Sequence, residues 1–380
     1  MAGTIEEINR RIVHNKVRVV TAEEMTRIVN DLGPDRAAER VDVVTTGTFG
    51  AMCSSGVWFN FGHSDPPIKI SRCWLNDVPA YSGVAAVDAY LGAAQFSDSR
   101  GESYGGAHVI EDLVRGKRVA LRAEADGTDC YPRREVTGRI TLKDLNQALM
   151  SNPRNSYQKY AAAANSGGRP LSTYMGRLAP FCGNVTYSGA GELSPINNDP
   201  GYRSIGIGTR ILLGGAVGYV TGSGTQHSPG NGFGTLMLQG DLKRMSPAFL
   251  KAAVFRNYGP TLYMGIGIPI PVPDAAAAAA AGIADRDIRT PVLDYGVSSR
   301  ERPVLAEVSY AELKSGRVRL DGKWVRTACL SSLARARAIA GCLKRMIGDG
   351  AFRLTQPVAS LSDQSVCRPM PENGSARRGR

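Results

Sequence analysis

The chain has 380 residues, 43% hydrophobic and 21% charged, with a formal net charge of +12. This globular composition excludes a disordered chain, and no run of about 18 apolar residues is present to form a membrane-spanning helix. The basic residues are spread out instead of clustering among aromatics, which fits small anionic substrates or an acidic protein partner and not nucleic acid.

The first residues, MAGTIEEINRRIVHNK, mix acids and bases without an apolar core, so no secretory signal is expected there. Thr4–Leu32 reads as two amphipathic helices around the extended stretch Val17–Val20. Thr21 with Glu24 three positions on is a capping box that opens the second helix. Val41–Thr46 (VDVVTT) predicts a buried strand, followed by the loop Gly47-Thr48-Phe49-Gly50 and the polar turn Cys53-Ser54-Ser55-Gly56. Ala85–Gly92 predicts a helix and Val109–Leu113 another. Arg118–Ala123 predicts a strand that runs into the turn Asp126–Arg134, and Thr141 is expected to cap a helix through Met150.

Between Ile205 and Gly240, 11 of 36 residues are glycine, where the chain average would give about four. Such density implies backbone freedom or close approach to a neighbour. Pro269, Pro271 and Pro273 stiffen the next segment, and Asp274 caps an alanine run, Ala275–Ala281, closed by Gly282. Leu330–Met346 is an amphipathic helix, with Leu333, Ala336, Ala340, Leu343 and Ile347 along one face. Residues 1–357 form the folded region, with room for two subdomains, and 358–380 are expected to be a disordered basic tail. The fold class is α/β, with mixed sheets and glycine-rich loops and no assigned topology.

Familiar chemistries fail on spacing. Gly206-Ile207-Gly208 is followed by Ile211 where a dinucleotide fingerprint needs glycine. There is no phosphate loop, no C-x-x-C pair and no G-x-S-x-G elbow, and His14, His63, His108 and His227 are scattered. The seven cysteines are Cys53, Cys73, Cys130, Cys182, Cys329, Cys342 and Cys367. An odd number in a long chain reads as free thiols in a reducing, cytoplasmic setting.

Most free cysteines are small buried hydrophobes, and Cys182, Cys329 and Cys342 suit that description. Cys53 and Cys130 have polar, turn-forming neighbours, so a reactive thiol and a packed one are both open for them. Beside Cys130, Arg133 and Arg134 favour the thiolate while Asp129 opposes it. His63, in Gly-His-Ser-Asp-Pro-Pro, reads as bracing its loop before it reads as a general base. His227 lies in a stretch able to wrap an anion with backbone N–H groups, and Arg210 is suited to clamp a carboxylate.

These stretches together carry a resemblance. VDVVTTGTFGAMCSSG (Val41–Gly56), FNFGHSDPPIK (Phe59–Lys69), WLNDVPAYSG (Trp74–Gly83), DGTDCYPRR (Asp126–Arg134), IGIGTRILLGGAVGYVTGSGTQH (Ile205–His227), TPVLDYGV (Thr290–Val297) and KWVRTACLSS (Lys323–Ser332) resemble the homocysteine-biosynthesis, sulfur-incorporation family. The likeness runs from about Thr4 to Pro357. It implies L-aspartate semialdehyde sulfurtransferase activity: sulfur from sulfide or a persulfide donor, carried as a cysteine persulfide, is added to an aldehyde. It assigns the persulfide to Cys130, in the DCYPR motif, and makes Cys53 a nearby partner thiol.

On that reading His227 serves proton transfer. Arg133, Arg134 or Arg210 holds the substrate carboxylate, Asp65 or Asp129 holds its ammonium, and His63 belongs to the same pocket. The glycine-rich stretch is expected to line it. Homocysteine lies two electrons below the thioaldehyde, and no flavin or nicotinamide fingerprint is visible. No bound cofactor is therefore expected, and the resemblance implies an external electron donor, a separate ferredoxin-type iron–sulfur protein whose acidity would suit the basic surface. A homo-oligomer is compatible with the sequence. Two alternatives are a coenzyme-A-transferase-like enzyme with Glu192 as its catalytic glutamate and no cysteine dependence, and a persulfide carrier or scaffold without turnover of its own.

Overall fold

Two capping boxes start the chain. Thr4 with Glu7 opens the helix Ile5–Val13, and Thr21 with Glu24 opens Ala22–Leu32, each hydroxyl accepting from the backbone while the glutamate returns to the cap. Between them Val19–Thr21 lies parallel to Val43–Thr45, the strand expected in VDVVTT, and Pro269–Pro271 completes a three-stranded sheet. The computed structural model describes residues 3–156, 161–231, 233–299 and 301–363.

The body of the molecule is a nine-stranded antiparallel sheet. Its order is Leu250–Phe255, Gly259–Gly267, Arg210–Leu213, Ala216–Ser223, Thr235–Asp241, Gln147–Ser156, Gly56–Asn60 and Asp88–Gly92, with Thr48–Ala51 added on Gly259–Gly267. A mixed six-stranded sheet with its own apolar core stands apart from it, ordered Val304–Ser309, Arg289–Asp294, Ala162–Ala164, Val185–Tyr187, Lys323–Cys329 and Arg317–Leu320. A four-stranded sheet contains the hairpin Val119–Glu124 to Glu135–Ile140. The α/β class with mixed sheets is therefore observed.

The helix Leu333–Gly348 packs where expected: Ala336, Ala340, Leu343 and Ile347 are buried, together with Ile339. The alanine run is a helix, Ala275–Ala281, with Asp274 capping Ala277. Two expected helices are strands. Asp88–Gly92 pairs with Gly56–Asn60, and after a single turn at Leu142–Asp144 the chain enters the long strand Gln147–Ser156. In both, alternate residues face the core. Ala89, Leu91, Ala148 and Met150 are buried, and sheet pairing outweighs the local helical preference.

The start of the expected tail is ordered. Val358 donates to Ile207 O (2.8 Å), Ile207 donates to Ala359 O (2.9 Å), and Leu361 is buried. The rest of that expectation, from residue 364, lies outside the described residues.

A buried charge fixes the N-terminal helix. The Asp42 carboxylate is 3% exposed, accepts from the Arg18 backbone and guanidinium, and also pairs with Arg11. Burial pushes its pKa up, but the hydrogen bonds and charge of Arg18, with Arg11, hold it below the usual carboxylate range. A depressed folded-state pKa contributes stability above the ordinary carboxylate range that is lost as pH falls through the lowered value. Asp42→Asn should cost about 2–4 kcal/mol at neutral pH, less than a fully buried pair because both arginines are partly exposed. Thermal melts from pH 7 downward should converge with wild type in acid; a constant gap would show that Asp42 does not supply the pH dependence.

Candidate active site

Cys53 lies in the turn Met52–Ser55, closed by Ser55 N donating to Met52 O (3.0 Å). The preceding strand, Thr48–Ala51, is fixed by pairing with Tyr263–Ile266, and Met52 N donates to Leu262 O. Buried Asn152 anchors the other side, giving a hydrogen bond to Ser55 Oγ (3.0 Å) and accepting one from Ser54 Oγ (3.3 Å). The thiol is thus presented on a turn held by two strands.

It faces a cleft of about 460 Å³ between the two large sheets. The antiparallel sheet contributes Cys53, Arg154, Gln226 and Tyr258, and the mixed sheet and its loops contribute Tyr174, Tyr295 and Arg302. Cys53 Sγ and Tyr258 Oη share a hydrogen bond at 3.9 Å. The Tyr258 and Tyr174 rings are 6.4 Å apart, and Tyr174 Oη is 2.7 Å from Tyr295 Oη. Arg302 donates to Tyr174 Oη (3.3 Å) and lies 4.3 Å from the Tyr295 ring centre. Arg154 donates to Gln226 Oε1.

Burial, and then the neighbouring thiol, pushes the Tyr258 hydroxyl well above its ordinary pKa of 10, so it remains protonated at neutral pH and able to donate to an anionic sulfur. Burial and the bond to Tyr174 do the same at Tyr295. Among the described residues, the cleft lining contains two arginines and no Asp or Glu. Such a cleft attracts anions.

Cys130 lies elsewhere. It is exposed in the hairpin loop after Val119–Glu124, where Thr128 and Tyr131 exchange backbone hydrogen bonds. Several expected partners share that end of the molecule. His63 stacks on Tyr131 at 6.1 Å, and Arg133 donates to Asp65 O and Glu135 O. Exposed Asp129 and Arg134 are in the same loop. The strand Gly56–Asn60 separates Cys53 at one end from His63 at the other, about 13 Å at 3.3 Å per residue. A disulfide needs Cα atoms about 4.4–6.8 Å apart. The expectation that Cys53 and Cys130 share a pocket is corrected: in this arrangement they are not neighbours.

His227 and Arg210 are not in the cleft either. The buried His227 ring is held by Thr235 O and N through Nδ1 and by Ser362 O through Nε2, so both nitrogens brace the chain. Arg210 lies 5.1 Å from the Phe352 ring centre, with its backbone bonded to Thr355. Of the described residues of the glycine-rich stretch, Gln226 and Phe233 line the cleft, and no described glycine does. Gly214 and Gly215 form the two-residue hairpin turn at φ 58° and 86°. Gly218 and Gly240, paired across strands, make room for Leu213. Their role is strand packing.

Glu192 is also outside the cleft lining. It exchanges hydrogen bonds with Asp285, which pairs with Lys314. Among the described residues no group of three or more His, Cys, Asp or Glu is placed to hold a metal ion, and no helix is long and apolar enough to cross a membrane.

Tyr258, Tyr174, Tyr295, Arg302 and Arg154 are missing from the sequence-based expectation. They come from four separate segments, Tyr295 and Arg302 sharing one connection, whose convergence depends on docking of the two sheets, and no local spacing encodes that.

A family model described as homocysteine biosynthesis enzyme, sulfur-incorporation, matches residues 17–354. The chain is 59% identical over 369 residues to an L-aspartate semialdehyde sulfurtransferase of Methanosarcina acetivorans, covering 97% of this chain and 74% of that protein. It is 57% identical over 373 residues to a protein of the same name from Methanocaldococcus jannaschii, covering 94% and 73% respectively. No solved structure matches it.

Proposed function

The chain belongs to the homocysteine biosynthesis family of sulfur-incorporating enzymes, and from that premise we propose that it adds sulfur to the aldehyde carbon of L-aspartate semialdehyde to give homocysteine. The observation that carries the chemistry is the thiol of Cys53 in a cleft with a protonated tyrosine on its sulfur and arginines but no acids around it. This moves the sulfur-carrying role from Cys130 to Cys53. Cys130 remains an exposed thiol outside the cleft.

In this reading Cys53 holds the incoming sulfur, and the Tyr258 hydroxyl stabilises that sulfur while it is anionic. Arg154, whose charge acts on Tyr258, favours the same anionic state. Cys53 takes the sulfur as a persulfide from a persulfide donor, whose own thiol leaves. Two electrons and two protons then release it as hydrogen sulfide beside the aldehyde and restore the Cys53 thiol, and it displaces the aldehyde oxygen as water. The thioaldehyde then accepts two electrons and two protons to become the thiol. The reductant comes from outside the chain, and a ferredoxin-type iron–sulfur protein is the donor we propose, its acidic surface suited to a chain of net charge +12.

The test is purified protein with L-aspartate semialdehyde, a persulfide donor and a low-potential reductant, with homocysteine measured after thiol derivatisation. Catalytic amounts of protein should give many equivalents of homocysteine, abolished by omitting any component. Sulfur loading on the protein without homocysteine would favour the carrier reading instead.

A further inference from the structure

We propose that Arg302 receives the substrate's carboxylate and thereby makes the enzyme selective for aldehydes that bear one; this rests on the function proposed above. Arg302 is built into its place at some cost. Its backbone is left-handed at φ 51°, a conformation that disfavours any residue with a Cβ by about 1–2 kcal/mol, and Pro303 follows it. Pro303 O accepts from Asp294 N (2.9 Å), which ties the turn to the strand Arg289–Asp294.

The guanidinium then lies over Tyr295 with one N–H given to Tyr174. No carboxylate among the described residues forms an ion pair with it. A planar guanidinium stacked in this way keeps further N–H donors for a two-pronged grip on a carboxylate. The other arginine in the cleft is differently occupied. Arg154 is engaged by Gln226 and its charge acts on Tyr258, beside the thiol.

From attacking sulfur to guanidinium nitrogen, a four-carbon aldehyde acid needs about 9 Å: ~3.3 Å of approach, ~4 Å of carbon chain and ~2.8 Å of ion pair, less the bends. Cys53 and Arg302 line one cleft and are connected through Tyr258 and Tyr174, so a substrate of this length has its two ends facing groups of the same site.

Among the described residues, the cleft lining offers no acid to the substrate's ammonium. Selection should therefore follow the carboxylate. Succinic semialdehyde, which lacks only the amino group, should be turned over with a KM within about tenfold of that for aspartate semialdehyde, and propanal far less well.

The experiment compares wild type, Arg302→Ala and Arg302→Lys with L-aspartate semialdehyde, succinic semialdehyde and propanal. Binding of L-aspartate semialdehyde is measured alongside by calorimetry. Ala at this backbone is no more strained than Arg, so the variant should melt with wild type. Arg302→Ala should raise KM and Kd for both acids about 30- to 100-fold, leave propanal unchanged and leave sulfur loading on Cys53 intact, with lysine restoring part of the loss. An unchanged Kd for aspartate semialdehyde in Arg302→Ala would overturn the assignment. If wild type binds the aldehyde through Arg302 yet makes no homocysteine, the reaction proposed above falls and the carboxylate site stands.

Discussion

Replacing Cys53 with serine is expected to lower homocysteine formation by at least about a thousandfold, because the oxygen of serine cannot take up and release sulfur as a thiolate does. Serine suits the turn Met52–Ser55, and the pins from Asn152 act on Ser54 and Ser55, so the fold should be untouched. Intact mass after treatment with a persulfide donor separates the two thiols. Cys130→Ala should still take up one sulfur at residue 53, located by peptide mapping, and Cys53→Ser should take up none there. Turnover by Cys53→Ser above a tenth of wild type would remove Cys53 from the reaction and return the role to Cys130.

Gly47→Ala should be among the most damaging substitutions outside the cleft. A Cβ at this position would lie 2.2 Å from Ala336 O and 3.0 Å from Ala340 N, inside the backbone of the helix Leu333–Gly348. That helix cannot retreat easily. Ile339, Leu343 and Ile347 are buried in one apolar cluster with Phe49 and Phe352, and Ala340 O accepts from Thr45 Oγ1 (2.9 Å). The methyl group should cost at least ~3 kcal/mol, several degrees of melting temperature. Activity should fall with it, since Gly47 immediately precedes the strand that leads to Cys53. A melting temperature within a degree of wild type would mean that the helix and strand do not approach this closely in solution.

Local signals in the sequence were sound where the physics is local. The capping box at Thr21, the strand in VDVVTT, the alanine helix and the apolar face of Leu333–Gly348 need only near neighbours to be recognised. The misread segments, Asp88–Gly92 and Gln147–Ser156, are strands whose pairing partners lie tens of residues away along the chain or more. The cysteines divide in the same way. Polar turn context singled out Cys53 and Cys130, and both do lie in turns. Which one meets a cleft depends on where the mixed sheet docks. The glycine-rich stretch misled because the need for a Cβ-free surface is the same whether a ligand or Leu213 comes close.

The cleft between the two sheets is also a statement about time. Cys53 and Tyr258 are 205 positions apart, and Tyr174 and Tyr295 are 121 apart. Closing loops of this length costs chain entropy that is returned only when distant segments pack. The two sheets have separate cores, so each can condense before they meet. Until they do, the Cys53 turn has Tyr258 from its own sheet but lacks the opposite wall of Tyr174, Tyr295 and Arg302. The substrate site is therefore complete only at the last and most long-range contact of the fold, so a substitution that loosens the docking of the sheets should empty the site before it melts either core.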